Sequence, residues 1–236
     1  MTVPLGLGIY TRAEAARLLG MTPGRVGRWV AGYTYWLREG RQRPDRRKQP
    51  PVIRTELPQL GTVLALSFLE LMELRVVKAL TDKGLSLQHV RAAARIAGKE
   101  FDTRHPFASR RVFTDGTSIF SAVDDHPSAP NVVKWRKGEI VQVVAGPIFA
   151  QFLSEIEFDS ATALARRWWP CGRKYPVLLD PAIAFGAPVA EKTGIRTTTI
   201  ARYCRHTNAS ETAEAFELPK RVVEAALHFE ERLAAA

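Results

Sequence analysis

Two arginines three residues apart, Arg25 and Arg28, follow a threonine–proline pair, Thr22-Pro23, in the stretch TRAEAARLLGMTPGRVGRWV of residues 11–30. Guanidinium groups spaced this way on one helix present bidentate donors suited to guanine edges and phosphates. Shortly after comes a denser cationic run. Arg38, Arg41, Arg43, Arg46, Arg47, Lys48 and Arg54 stand against only Glu39 and Asp45, an excess of five positive charges in one segment. Such a run neutralises a polyanion and carries little sequence information itself. Other candidate chemistry is thin. Asp124-Asp125-His126 offers adjacent carboxylates, but in a Pro/Ser loop these suit solvation better than a metal. Cys171 and Cys204 cannot make a zinc site by themselves and fit a reducing compartment. The chain shows no phosphate-binding glycine loop, H-E-x-x-H or nucleophile elbow, and its Asp residues lie in turn-like or basic contexts. The sequence therefore predicts a binding protein, with no enzyme activity, no metal and no cofactor.

The elements that position the arginines are legible. Thr11 and Glu14 predict a capping box, Ala15, Ala16, Leu18 and Leu19 an apolar face, and Gly20 a helix stop. Thr22 caps a second helix with Pro23 at its first position. Val26, Trp29 and Val30 are expected inside, with Thr22, Arg25 and Arg28 facing DNA. This is a helix–turn–helix pattern. An ordinary helical hairpin with solvated arginines has the same twenty residues, so the flanking sequence decides. Tyr33, Tyr35 and Leu37 alternate with Thr34 and Trp36 as a strand does, and Val52-Ile53 can supply a returning arm. With the basic run between them, these predict a wing that tracks the phosphate backbone through Arg38, Arg41, Arg43, Arg46, Arg47 and Lys48. A long helix is predicted over residues 61–82 and another from Ser86 to about Gly98.

The order Y-T-x-x-E-A-A-x-L-L-G-M-T-P-x-x-V-x-R-W, basic wing, long helix and G-L-S-L-x-x-V helix resembles the N-terminal DNA-binding domain of MerR-like winged-helix proteins. The likeness covers residues 9–98. The long dimerising helix and effector domain of sensor members do not follow.

Residues 100–172 are expected to form a β-rich module and linker. Arg111–Phe113 and Ser118–Phe120 read as strands about a turn, 132–144 as a hairpin, Pro147–Leu153 as amphipathic. Trp168-Trp169, flanked by arginines, suits either a core or a partner interface. In the tail, residues 173–236, Asp180-Pro181-x-Ile183, Gly186-x-Pro188-Val189, Gly194-x-Arg196-x-x-x-Ile200 and Val223-x-x-Ala226-Leu227-x-Phe229 resemble a small domain of VapB-type antitoxins. That resemblance implies pairing with a PIN-domain ribonuclease toxin. Phe185-Gly186 stands where that family usually has two glycines. The tail is itself a helical trio. From Ser210 to Ala236, however, six glutamates oppose Lys220, Arg221 and Arg232, which disfavours DNA contact there.

The net charge of +10 and pI near 10 favour an anionic partner. The most apolar run, Val63–Met72, is interrupted by Ser67 and Glu70 and is too short to span a bilayer, and the N-terminus lacks a leader pattern. A cytoplasmic location follows as the expectation. The predicted architecture is α+β and mainly helical: a winged helix–turn–helix (residues 1–99), a β-rich middle (100–172) and a three-helix tail (173–236). The predicted function is an antitoxin that binds operator DNA as a homodimer, regulates its own operon and neutralises a PIN-type toxin. A stand-alone transcription regulator is the alternative, and a scaffold whose basic loop meets RNA or protein is a third reading.

Overall fold

The computed structural model describes residues 7–37, 45–57, 64–113 and 146–235. Strand β1 (Tyr10–Thr11) leads into α1 (Arg12–Leu19), and α2 (Pro23–Ala31) follows across a left-handed Gly20. Both helix starts are made by the predicted residues. Thr11 Oγ1 accepts from Glu14 N at 3.2 Å while Thr11 N donates back to the Glu14 carboxylate at 2.8 Å. Thr22 Oγ1 accepts from Arg25 N at 3.2 Å. Each cap satisfies amides that a helix start leaves without a partner. Ala15, Ala16, Leu19, Val26, Trp29 and Val30 are buried, as the helical period requires.

Strands β2 (Tyr33–Leu37) and β3 (Asp45–Gln49) pair antiparallel, from Tyr33 opposite Gln49 to Leu37 opposite Asp45. The wing's returning arm is thus Asp45–Gln49 and not Val52-Ile53. Val52 N and Ile53 N instead bond to Trp29 O at 2.7 and 3.3 Å, and Ile53 enters the core. A hairpin that stands in solvent needs no apolar face, so alternation did not mark its second strand. Gly32 turns α2 into the wing at φ +73°, and a Cβ there would lie 2.4 Å from Gln49 O.

Strand β4 (Ala65–Leu66) pairs with β1, and α3 (Phe68–Asp82) begins only at Ser67, whose hydroxyl and Glu70 form a second capping box. Residues 64–67 are therefore extended or capping, where a helix is expected from sequence; 61–63 lie outside the described residues. Helix α4 (Leu87–Glu100) follows Ser86 as predicted. The apolar core built on α3 also takes in Phe107, Phe113, Phe152, Ile156, Trp168 and Leu179. The segment after residue 100 thus packs directly on the N-terminal unit. Its described part is mixed. Residues 110–113 are helical where a strand is expected, with Val112 and Phe113 buried. Helix α5 (Gly146–Glu155) leads to a hairpin of β5 (Ile156–Phe158) and β6 (Ala165–Trp168). The expected strand at 118–120, the Asp124-Asp125-His126 turn and the hairpin at 132–144 lie outside the described residues.

In the tail, β7 (Val177–Leu178) pairs with β8 (Val189–Ala190). Helices α6 (Thr197–Cys204), α7 (Ala209–Ala215) and α8 (Lys220–Ala234) close around Ile200, Val223 and Ala226. Asp180 explains the D-P start of its motif: it is buried, accepts from Arg167 Nε at 2.7 Å and holds Ala182 N at 2.9 Å. Two bonds dock β1 on the tail. Tyr10 Oη donates to Gly186 O at 2.8 Å, and Ile9 N donates to Phe185 O at 3.0 Å.

Candidate nucleic-acid interface

The inner face of α2 is filled by Val26, Trp29 and Val30, which leaves residues 24, 27, 28 and 31 outside. Of the predicted reading residues, Thr22 and Arg28 are exposed at this surface. Arg25 is not free there. Its Nη2 donates to Thr81 Oγ1 at 2.9 Å and to Asp82 Oδ1 at 3.2 Å, and its guanidinium lies 4.5 Å from the centre of the Trp29 ring. It ties α2 to the end of α3. Asp82 completes the clamp with Lys78, one helical turn away. Partial burial raises the Asp82 carboxyl, but hydrogen bonds from Lys78 and Arg25 outweigh it and hold the group below its ordinary value.

On the wing, residues opposite one another share a face. Trp36 lies opposite Arg46 and Thr34 opposite Lys48, so one face carries an aromatic ring, a hydroxyl and two cations. Trp36 is 66% exposed, the most open large apolar side chain among the described residues. Arg46, Arg47 and Lys48 are all exposed. The wing's base is fixed by Arg91 of α4, whose Nη2 donates to Pro50 O at 2.9 Å. Arg38, Arg41 and Arg43, named for phosphate contact, lie outside the described residues. The structure therefore gathers Thr22, Arg28, Arg46, Arg47 and Lys48 on one winged unit and turns Arg25 to an internal task. Sequence reasoning passed over Arg12, which shares an open groove with Gly24, Gly27 and Arg28. The signal available was the pair of glycines three apart in a nine-residue helix, a costly choice unless something needs the space.

Trp168 and Trp169, named as partner contacts, are 3% and 4% exposed. Arg75 covers Trp168, with its guanidinium 3.9 Å from the Phe152 ring centre and 4.9 Å from that of Trp168. It also forms an ion pair with Glu155. Burial brings the Arg75 pKa down to about 10, against the pull of Glu155. Arg173 covers the Trp169 ring at 4.0 Å. Both indoles are thus occupied by the chain's own side chains, because aromatic faces flanked by arginines serve cation–π packing as well as binding.

A buried ionic cluster joins α3 to the segment at His105. His105 Nδ1 is 3.1 Å from Glu73 Oε2. Its Nε2 is 3.1 Å from Glu56 Oε2, without hydrogen-bond alignment. Burial opposes the imidazolium, but Glu73 and then Glu56 outweigh it and raise the His105 pKa to about 9. Burial pushes the Glu73 carboxyl up, against the His105 hydrogen bond. Among the described residues no three His, Cys, Asp or Glu side chains are grouped to hold a metal, and no helix is long and apolar enough to cross a membrane.

Comparison with known proteins bears on this surface. Residues 8–94 match the model of a family described as "putative DNA-binding HTH domain". "Putative antitoxin VapB45" of Mycobacterium tuberculosis is 28% identical over 200 residues, covering 81% of this chain and 80% of its own. The crystal structure of Rv2018 from Mycobacterium tuberculosis matches with a TM-score of 0.69 at 23% identity, over 95% of this chain and 99% of that one. That likeness establishes the fold. The chain carries a helix–turn–helix domain of the DNA-binding kind, and its resemblance to a VapB-type antitoxin extends over most of its length.

Proposed function

We propose that this chain is the DNA-binding antitoxin of a toxin–antitoxin pair. It binds operator DNA upstream of its own gene as a homodimer and neutralises a PIN-type ribonuclease, acting in the cytoplasm. The observation that carries the DNA half is the exposed cationic surface of α2 and the wing. Arg28 and Lys48 have no carboxylate partner among the described residues, and they stand on a helix–turn–helix matched over residues 8–94. Two copies related by a two-fold axis would meet two half-sites. Thr22 and Arg28 enter the groove, and the wing cations, with Arg38, Arg41 and Arg43, neutralise phosphates. The toxin half is supported by similarity to an antitoxin across four fifths of the chain and by the net acidic charge of α7 and α8 taken together. Glu211, Glu214, Glu224 and Glu231 are exposed there. An acidic helix pair suits a basic protein groove better than a duplex.

Coexpression with the product of the neighbouring gene, followed by purification on a tag carried by this chain, tests the toxin half. Recovery of a stoichiometric complex whose partner degrades RNA only after release supports the antitoxin. A chain that shifts its upstream DNA but recovers no partner is a stand-alone regulator. A chain that shifts no DNA overturns the operator assignment.

A further inference from the structure

Helix α2 contains two glycines in nine residues, Gly24 and Gly27. Neither has the left-handed backbone that calls for glycine, so each weakens the helix relative to alanine. At Gly24 an added Cβ would meet only Arg28 Nη1, at 4.0 Å. At Gly27 it would fall 3.2 Å from both Cδ and Nη1 of Arg12. The missing side chain at position 27 is the space in which the Arg12 side chain lies. Arg12 is the first residue of α1, is exposed, and has no ion-pair partner among the described residues. Arg28, on the other side of the glycines, is in the same state. The two guanidinium groups flank an open groove of about 390 Å³ floored by Gly24 and Gly27. Arg25, by contrast, is held by Thr81 and Asp82.

We infer that Arg12 is the second groove-reading arginine of this protein, laid across the recognition helix by the absence of a side chain at Gly27. The inference rests on the DNA reading proposed above and deepens it. The reading pair comes from two helices, Arg12 from α1 and Arg28 from α2, in place of two neighbours on one helix. Gly27 is a positioning residue: it touches no base and sets where the Arg12 fork sits. The glycine floor leaves the helix backbone open to close approach by the edge of a base pair.

The test uses the full chain and a duplex that the wild-type protein selects from a random-sequence library, with a scrambled duplex as control. Arg12→Ala should lower affinity for the selected duplex about tenfold or more, with less loss on the scrambled one, so that sequence preference relaxes. Gly27→Ala should leave the melting temperature unchanged or higher, because alanine favours helix, and still weaken the selected duplex about threefold. In the Arg12→Ala background Gly27→Ala should cost nothing further. Unchanged affinity in Arg12→Ala overturns the inference. So does an equal loss on both duplexes with a flatter salt dependence, which makes Arg12 a phosphate contact. A Gly27→Ala penalty that persists without Arg12 overturns the positioning role. If Arg28→Ala loses affinity while Arg12→Ala does not, only this inference falls. If the wild-type chain selects no duplex, the DNA reading falls with it.

Discussion

The N-terminal winged unit, with helices α1 to α4, and the C-terminal trio both pack helices around an apolar core, yet they distribute charge differently. In the winged unit, cations face solvent on α2 and the wing, and two carboxylates, Glu70 and Glu73 of α3, are buried, the latter against His105. In the trio, the exposed glutamates Glu211, Glu214, Glu217, Glu224 and Glu231 are balanced by the exposed cations Arg202, Arg205, Lys220, Arg221 and Arg232, and the interior of Ile200, Val223 and Ala226 is apolar. Its buried polar groups are the hydroxyls of Thr197 and Thr212, which bond to Glu230 and to Asn208 O. Helical topology is thus common to both, and the net cationic outer face belongs to the winged unit, which suits it to counterion release at phosphates. Interior charge has a second consequence, since it makes the winged unit sensitive to pH.

The largest break in this contrast is His105→Ala. It leaves Glu73 buried without its partner, and a buried pair broken on one side costs about 3–5 kcal/mol. Denaturant midpoints at neutral pH measure the loss. The wild-type chain should show the matching pH dependence. The His105 pKa is raised to about 9 in the folded state, so its stabilisation is complete below the unfolded value and fades as pH rises through 9. Glu73, raised by burial, acts in the same direction, because its ionised form is the disfavoured one. A His105→Gln chain should lose less midpoint between pH 7 and pH 9.5 than wild type; an equal loss would assign the dependence elsewhere.

Next in size is Arg28→Ala, expected to cost about 1–3 kcal/mol of DNA affinity and to relax sequence preference in a competition assay. Arg46→Ala with Lys48→Ala should weaken all duplexes alike and reduce the slope of log affinity against log salt by about 2. Tyr10→Phe should lower stability by about 1 kcal/mol, since it removes the 2.8 Å bond to Gly186 O that docks β1 on the tail. The smallest effect sharpens the contrast from the other side. Glu224→Ala on exposed α8 should change DNA affinity by less than about 0.5 kcal/mol, as for a surface position away from the site.

Much of the fold was legible because its signals are local. Thr11, Thr22 and Ser86 cap the helices that their types and spacing predicted, and α6 covers Thr197–Cys204 as expected. What stayed hidden depends on partners distant in sequence. Spacing alone put Arg25 outside, but Asp82, 57 residues away, draws it in. The E-x-x-E of α3 carries no local mark of burial; His105, 32 residues beyond Glu73, completes its buried cluster. Trp168 and Trp169 carried the same flanking arginines whether packed or exposed. At the Phe185 departure from the paired glycines, the second glycine is kept and packed closely. Gly186, at φ +82°, is the residue that meets Tyr10, where a Cβ would lie 2.3 Å from the hydroxyl. Phe185 itself adopts φ +58° and leaves its ring 56% exposed.

The central claim is that the cationic winged face, and not the helical tail, meets the duplex. Salt-dependent binding of the selected duplex tests it most directly, with wild type compared with two charge-altered full chains. One carries Arg28→Ala, Arg46→Ala and Lys48→Ala, the other Lys220→Ala and Arg221→Ala. Specific binding should be lost in the first and kept, with an unchanged salt slope, in the second. Specific binding kept in the first and lost in the second would contradict it.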